Sequence, residues 1–295
     1  MTGSGLPCGF LVLDKPAGLT SHDCVSRVRR AYGLRRVGHG GTLDPAVTGV
    51  LPIAVGAATR FLPYLRQDKR YRGRIQLGLR TDTDDLEGAV LERQPPPDLS
   101  RDELETALER FRGVIQQVPP QVSAVRVDGV RAYRLARQGQ TAVLQARSQT
   151  VHSLELERWD AASGELELSV VCSAGTYIRA LARDLGQLLG CGGCLAELRR
   201  TGALGFEESE AVPLARLSEP PPPDLLDPLQ ALRHWRWHRL DHEAMTAWQC
   251  GRRLRAAEPD EPGPVVVLGP EGDLAGMAHP DGEWLQPKLV LNARG

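Results

Sequence analysis

The stretch of the chain best suited to chemistry is the glycine-rich segment 38–52, which reads GHGGTLDPAVTGVLP. Glycines around one histidine and one aspartate allow the backbone to approach a ligand closely. Pro45 restricts the backbone of Asp44, the carboxylate that this segment presents. No Gly-Lys-Ser/Thr follows, so a phosphate-binding P-loop is excluded. The alternative for Asp44 is an ordinary turn or capping aspartate, as most isolated aspartates before proline are.

Two other groups of residues have metal-ligating side chains. Asp82, Asp84 and Asp85 either hold a divalent cation or order a loop. Cys191 and Cys194 form a single C-x-x-C with no second pair beside it, which favours a structural turn between two helices over a zinc or redox site. Six cysteines scattered over 295 residues are too sparse for a disulfide scaffold.

The distribution of charge is more informative than its sum. The formal net charge of −1 does not indicate a nucleic-acid partner, and only three of the 36 basic residues are lysines. The arginines cluster within segments 27–36, 70–74 and 126–137. Guanidinium groups suit bidentate phosphate contacts and stacking on bases. For any one cluster, a high-GC genome that favours arginine codons is an equal explanation.

The elements that must position these residues follow from hydrophobic periodicity. Apolar or alternating runs predict strands, and capped amphipathic runs predict helices. The predicted strands are 10–13, 51–55, 71–79, 151–156 and 166–172. The predicted helices begin at Thr20, Ala57, Ser100 and Thr176. Strands and helices without βαβ periodicity predict an α+β fold, with a mixed or antiparallel central sheet flanked by helices.

The last quarter of the chain differs in composition. The run 219–223 contains four consecutive prolines and predicts a stiff surface connection. A helix over 240–248 and short strands at 265–268, 274–277 and 288–291 predict a small β-rich C-terminal module. No apolar run is long enough to span a bilayer, and the start lacks the features of a signal peptide, so we expect a cytoplasmic protein.

Motifs along the chain resemble, in the same order, those of the TruB family of pseudouridine synthases. The similar segments are Gly9–Ser21, Gly38–Pro52, Lys69–Tyr71, Gly78–Gly88, Pro119–Pro120, Ser123–Ala124, Ala136–Gly139, Cys172, Gly175–Arg179 and Leu198–Arg200. The resemblance implies a catalytic domain at 1–218 with an RNA-gripping insertion at about 116–147. A proline-rich connection at 219–239 and an RNA-binding PUA-like domain at 240–295 would follow.

The resemblance also implies an activity and a set of site residues. The reaction isomerises uridine 55 in the tRNA T-loop on a flipped-out nucleotide, and it needs no cofactor or metal, which favours the loop-ordering role for the aspartates at 82–85. Asp44 would be the catalytic carboxylate and Arg179 its ionic partner, since a carboxylate in a closed pocket loses ionisation unless paired. Whether Asp44 attacks C1′ or abstracts the 2′ proton stays open. The implied supporting residues begin with Tyr71, which would stack on the base and help to remove the C5 proton. Tyr177 and Leu198 would be apolar walls, His39 would occupy the vacated stack, and Lys15, Pro16, Gly40 and Gly41 would form a structural group.

Some of these assignments have ordinary structural alternatives. Tyr71 is otherwise a strand tyrosine with its ring in the core, Arg179 a solvated arginine at a helix start, and His39 a loop residue bonded to backbone. The predicted RNA contacts are Arg126, Arg131, Arg137, Arg199, Arg200, Arg252 and Arg253. An ordinary wet surface also explains the last two.

Other functions remain to be weighed. A tRNA-folding chaperone would use the same surface without needing Asp44. An enzyme acting within guide-RNA particles ranks lower, because the extra basic tails of such relatives are missing. We expect a monomer that needs no protein partner.

Overall fold

The computed structural model describes residues 7–256 and 262–293. The described α-helices are α1 (Ser21–Tyr32), α2 (Arg101–Leu108), α3 (Ala132–Arg137), α4 (Ile178–Leu188), α5 (Pro228–Ala231) and α6 (His242–Gln249). Short 3-10 helices cover Gly56–Tyr64, Glu109–Phe111, Glu208–Glu210 and Leu214–Ser218. Within these described ranges, no helix is both long and apolar enough to cross a membrane.

The first fourteen strands belong to the larger, N-terminal part of the chain. They are β1 (Gly9–Lys15), β2 (Val37–His39), β3 (Thr48–Val55), β4 (Lys69–Leu77), β5 (Leu79–Thr81), β6 (Val90–Arg93), β7 (Gly113–Gln117), β8 (Arg126–Val127), β9 (Val130–Arg131), β10 (Arg147–Asp160), β11 (Glu165–Cys172), β12 (Gly193–Ala203), β13 (Phe206–Glu207) and β14 (Val212–Pro213). The last five are β15 (Arg236–Arg239), β16 (Leu254–Arg255), β17 (Val265–Leu268), β18 (Leu274–Asp281) and β19 (Trp284–Val290).

The central sheet is mixed, as the sequence predicts. Its strand order is β14-β1-β3-β12-β4-β11-β10-β7, with β2 and β13 paired to its side. β1 runs parallel to β14 and β12 parallel to β3, whereas the remaining pairs along this order are antiparallel. Strands and helices of this kind around one sheet confirm the α+β class.

The helix starts follow the predicted capping chemistry. Thr20 with Asp23, and Ser100 with Glu103, form complete capping boxes at α1 and α2. Gly33 ends α1 in the left-handed conformation.

Four local predictions need correction. The segment predicted as a helix from Ala57 is a 3-10 helix with a proline inside it, and α4 begins at Ile178 instead of Thr176. The strand predicted to reach residue 79 breaks at Gly78, where φ is +80° and a Cβ would lie 2.5 Å from the carbonyl oxygen of Gln94. The C-x-x-C segment joins α4 to β12, so it does not connect two helices.

The C-terminal module is a five-stranded sheet in the order β15-β17-β18-β19-β16, a curled β-rich unit consistent with a PUA-like fold. Trp248 of α6 is fully buried against it and donates from Nε1 to the carbonyl oxygen of Ala275 at 3.0 Å. A shared core joins this module to the central sheet, with Phe10 and Phe61 on one side and Val266 and Met277 on the other.

Candidate active site

The loop that carries Asp44 is fixed from below by a buried lysine. Lys15 is 0% exposed, and its Nζ donates to the carbonyl oxygens of Pro16 at 2.9 Å, Leu19 at 2.7 Å and Pro45 at 3.0 Å. Burial lowers the pKa of this ammonium. Three carbonyl acceptors compensate for the removal of the charge from water. Lys15 therefore ties β1 to the residue that follows Asp44.

A second clamp holds the residue that precedes Asp44. The Ser21 hydroxyl accepts from the backbone N–H of Leu43 at 2.8 Å and donates to the Leu43 carbonyl oxygen at 3.2 Å. Ser21 is buried at the first position of α1. Ser21 is the last residue of the segment Gly9–Ser21, and no local pattern in the sequence indicates this contact. Asp44 is thus held between two anchored neighbours.

The Asp44 carboxylate meets a buried guanidinium. Arg179 Nη2 lies 2.9 Å from Asp44 Oδ2, and Arg179 Nη1 lies 3.4 Å from Asp85 Oδ2. The Arg179 side chain is 7% exposed, whereas that of Asp44 is 48% exposed. Arg179 also donates to the carbonyl oxygens of Thr83 and Val122, each at 2.9 Å. Two carboxylates and two carbonyl oxygens therefore hold the Arg179 guanidinium in place, while the Asp44 carboxylate stays accessible to a ligand.

A glutamine from β7 positions the start of α4, where Arg179 lies. Gln117 Oε1 accepts from the backbone N–H of Tyr177 at 2.8 Å, and its Nε2 donates to the Tyr177 carbonyl oxygen at 3.0 Å. Gln117 is 2% exposed. The sequence does not reveal this role, because nothing local to Gln117 indicates that its partner is Tyr177, 60 positions along the chain.

Asp44 lies where two cavities meet. The smaller, of about 230 Å³, is lined by Asp44, Tyr71, Tyr177, Arg179 and Leu198 among others. The larger, of about 530 Å³, shares three of these residues, namely Asp44, Arg179 and Leu198. The fold thus brings together, around one small cavity, five residues that the sequence selected from distant segments.

Tyr71 and Leu198 form the walls of the smaller cavity. Tyr71 is 7% exposed, packs in the main core and lies close to the Arg200 side chain. Burial raises the pKa of its phenol to about 12. The ring packs in the core, as the structural alternative predicts, and also lines the cavity, while its stacking on a base stays a prediction. Leu198 approaches Gly73 so closely that a Cβ there would lie 3.2 Å from Leu198 Cδ1.

His39 lies beside this group but does not line either cavity. Its Nδ1 accepts from the backbone N–H of Gly41 at 3.2 Å. Burial, followed by the positive charge of Arg200, lowers its pKa and favours the neutral imidazole. A Cβ at Gly40 would lie 2.0 Å from Leu204 Cδ1, so a larger residue at this position would displace the Leu204 side chain.

Arg199 and Arg200, which the sequence predicts as RNA contacts, lie in different environments. Arg200 is 0% exposed and donates from Nε to the Val50 carbonyl oxygen at 2.7 Å and from Nη2 to that of Gly41 at 3.2 Å. Arg200 lies inside the fold and not on the exposed surface, and its contact with RNA stays a prediction. Arg199 is partly exposed and already paired with Asp14 at 2.9 Å and Glu208 at 2.5 Å.

The other predicted RNA contacts lie on the surface. Arg126 and Arg131 come from the β8–β9 hairpin and Arg137 from the end of α3, and all three are exposed. Arg137 lies 5.6 Å from the centroid of the Tyr133 ring. In the C-terminal module Arg252 and Arg253 are exposed, and Arg253 lies over the ring of Trp284.

The aspartates at 82–85 order a loop. Asp82 Oδ1 accepts from the backbone N–H of Ala89 at 2.8 Å, and Asp85 Oδ1 accepts from that of Glu87 at 3.1 Å. Asp84 pairs with Arg183 at 3.0 Å. Over residues 7–256 and 262–293, no group of three histidine, cysteine, aspartate or glutamate side chains is arranged to hold a metal ion.

The comparisons with known proteins agree on one family. The N-terminal domain of TruB family pseudouridylate synthases matches residues 29–178, and the tRNA pseudouridylate synthase B C-terminal domain matches residues 179–220. A tRNA pseudouridine synthase B from Synechococcus sp. (strain WH7803) is 59% identical over 98% of this chain and 99% of that protein. One from Prochlorococcus marinus (strain MIT 9313) is 50% identical over the same shares.

Solved structures show the same fold. A chain of an H/ACA RNP bound to a substrate RNA containing 2′-deoxyuridine matches with a TM-score of 0.72 and 24% identity, over 96% of this chain and 84% of that one. A chain of a Cbf5-Nop10-Gar1 complex matches with a TM-score of 0.71 and 24% identity, over 96% and 85%. The family matches, the high identity to full-length relatives and the shared fold lead to one conclusion: the chain belongs to the TruB family of pseudouridylate synthases.

Proposed function

We propose that this protein isomerises uridine 55 in the T-loop of tRNA to pseudouridine, with Asp44 as the catalytic carboxylate. The relatives' name, tRNA pseudouridine synthase B, supports tRNA as the substrate. The observation that carries the proposal is the Asp44–Arg179 ion pair at the edge of a cavity lined by Tyr71, Tyr177 and Leu198. That arrangement combines an accessible anion with walls suited to a flat base.

The reaction is balanced without a co-reactant. The N1–C1′ bond breaks, the uracil turns, C5 bonds to C1′, and the proton lost from C5 is matched by one gained at N1. Positive charge develops on the sugar when the glycosidic bond breaks, so a carboxylate beside C1′ stabilises that state or attacks it. The ion pair with Arg179 holds this carboxylate in position at the edge of the cavity.

The apolar walls hold the detached base while it turns. Because burial raises the pKa of Tyr71 to about 12, its hydroxyl is protonated at neutral pH, and in this proposal its ring supports the uracil. A nucleotide inside a folded loop must leave its stack to reach the cavity, and His39 is proposed to occupy the space it vacates.

RNA binding is assigned to exposed arginines of the insertion and of the C-terminal module. Arg126, Arg131 and Arg137 have no ion pair within the described ranges, so their charge is available to phosphate. We propose that the protein works in the cytoplasm as a monomer, without cofactor, metal ion or protein partner.

The test is to map pseudouridine in an unmodified tRNA transcript by a chemical-adduct primer stop. Wild-type protein should give one stop at position 55 and none in a transcript with cytidine there. Asp44→Asn should give no stop, whereas Asp98→Asn, a change at an exposed loop aspartate, should match wild type. Tight tRNA binding without product from wild type would favour a folding chaperone, and a stop elsewhere would contradict the assigned position.

A further inference from the structure

Two cationic nitrogens face one point beside Gly41. The backbone of Gly41 has φ of +127°, and a Cβ built on it would lie 3.3 Å from Lys69 Nζ and 3.6 Å from Arg200 Nη1. The absence of a side chain at Gly41 therefore leaves a small space that both groups border. Lys69 also lines the cavity that contains Asp44 and Tyr71.

Neither Lys69 nor Arg200 forms an ion pair with a carboxylate in the described part of the chain. Arg200 is 0% exposed, and although its Nε and Nη2 donate to carbonyl oxygens, its buried Nη1 has no hydrogen-bond partner. Lys69 Nζ forms no hydrogen bond or ion pair with any residue in the described part of the chain. Burial, followed by the charge of Arg200, lowers the pKa of both Lys69 and His39. Buried positive charge without an anion is costly, so the cluster is prepared for a negatively charged ligand.

A purely structural role accounts for only part of the cluster. The carbonyls of Val50 and Gly41 explain two of the three Arg200 nitrogens, but neither Nη1 nor Lys69. Lys69 is also one of three lysines in a chain whose positive charge is otherwise guanidinium. A compact ammonium suits the narrow space beside Gly41 better than a planar guanidinium does. The negative charge that RNA offers near a flipped nucleotide is its backbone phosphate.

We propose that Lys69, with Arg200 behind it as a second positive charge, binds a backbone phosphate of the RNA next to the flipped uridine. This inference rests on the proposed function, because it takes RNA as the ligand of the cavity. Lys69 is a binding residue in this account. Its contact fixes the register of the nucleotide relative to Asp44, as phosphate contacts generally fix position instead of sequence.

The test combines a phosphate scan with a change at Lys69. T-arm oligonucleotides carrying a single neutral methylphosphonate at successive positions around the uridine are titrated with Asp44→Asn protein. At one position the methylphosphonate should weaken binding of the oligonucleotide about tenfold, as expected for the loss of a charge-assisted hydrogen bond. In Asp44→Asn/Lys69→Met the unmodified oligonucleotide should bind about tenfold more weakly, the same methylphosphonate should have no further effect, and the salt slope should fall by about one.

Arg70→Met in the same background is the matched control. Arg70 is the next residue of β4, but its exposed side chain pairs with Glu207 at 2.5 Å, so that variant should keep the sensitivity to the methylphosphonate. Lys69→Arg keeps the charge and should lose less affinity than Lys69→Gln, which replaces Lys69→Met if that variant fails to fold. A scan without a sensitive position, or sensitivity unchanged in the Lys69 variants, would overturn the inference. Product formation at position 55 is measured separately on wild type, so failure of either proposal is seen independently.

Discussion

The arginine beside the Asp44 cavity and those of the β8–β9 hairpin are the same residue type in opposite environments. Arg179 has a 7% exposed side chain that contacts two carboxylates and two carbonyl oxygens. Arg126 and Arg131 lie on an exposed two-stranded hairpin with no ion pair over the described ranges. A buried, fully bonded guanidinium fixes geometry, whereas an exposed one offers charge to a partner. Burial and bonding therefore separate the arginines that should control rate from those that should control affinity.

Among the arginines, the largest effect on the rate is expected at Arg179. Arg179→Met leaves the Asp44 and Asp85 carboxylates without their shared partner, so the single-turnover rate should fall by about 10²- to 10³-fold, as for loss of a preorganised electrostatic group. Arg183→Met is the control, because Arg183 lies on the same helix and pairs with Asp84 and Asp184. An equal fall in the single-turnover rate of both variants would show that Arg179 has no special role compared with Arg183.

Lys15 tests whether the Asp44 loop depends on its buried clamp. Lys15→Met leaves three carbonyl acceptors without a donor, and urea denaturation should show a loss of about 3 kcal/mol in the free energy of unfolding. Lys288→Met, at an exposed position of β19, should change this value by less than about 0.5 kcal/mol. A Lys15 variant as stable as wild type would show that the loop is held by other contacts.

Tyr71 predicts a pH dependence of stability. The folded-state pKa of about 12 lies above the ordinary value of 10.0, so the folded protein binds the phenolic proton more tightly than the unfolded chain does. The contribution is complete below pH 10 and is lost as the pH rises through 12, and its full size is about 3 kcal/mol. Tyr71→Phe should therefore lose less stability than wild type over this range in denaturation experiments. Identical alkaline profiles would contradict the burial of the hydroxyl.

The smallest effects on tRNA binding and activity are expected for changes in the β8–β9 hairpin. Arg131→Ala should weaken tRNA binding by several-fold and lower the salt slope by about one, with an unchanged single-turnover rate at saturating protein. Arg158→Ala is the control, since Arg158 is exposed on β10 but lies outside the insertion. A lower single-turnover rate at saturating protein with normal tRNA affinity would show that Arg131 acts on the rate, as Arg179 is expected to do, and would contradict the proposed difference between them.

The sequence predicts the parts of the fold that local chemistry determines. Capping residues at Thr20 and Ser100 mark helix starts because their partners lie three residues away. The clamps made by Gln117 and Ser21 depend on contacts across the fold, which no local pattern reveals. Arg200 shows the same limit, since its buried side chain bonds to Val50 and Gly41, which lie far from it in the sequence.

The residue types at the site were easier to select than the environment of each one. Glycine spacing and motif order led to Asp44 and Tyr71, and both line the same cavity. Arg199 and Arg200 look alike in sequence, but one forms surface ion pairs and the other is buried.

The catalytic role of Asp44 is tested most directly by the rate of pseudouridine formation by Asp44→Asn under single-turnover conditions, with tRNA binding measured on the same protein. We expect affinity within a few-fold of wild type and no detectable product, because the amide cannot attack C1′, remove a proton or stabilise positive charge as the carboxylate does. Product formed at the wild-type rate would contradict the assignment of Asp44 as the catalytic group.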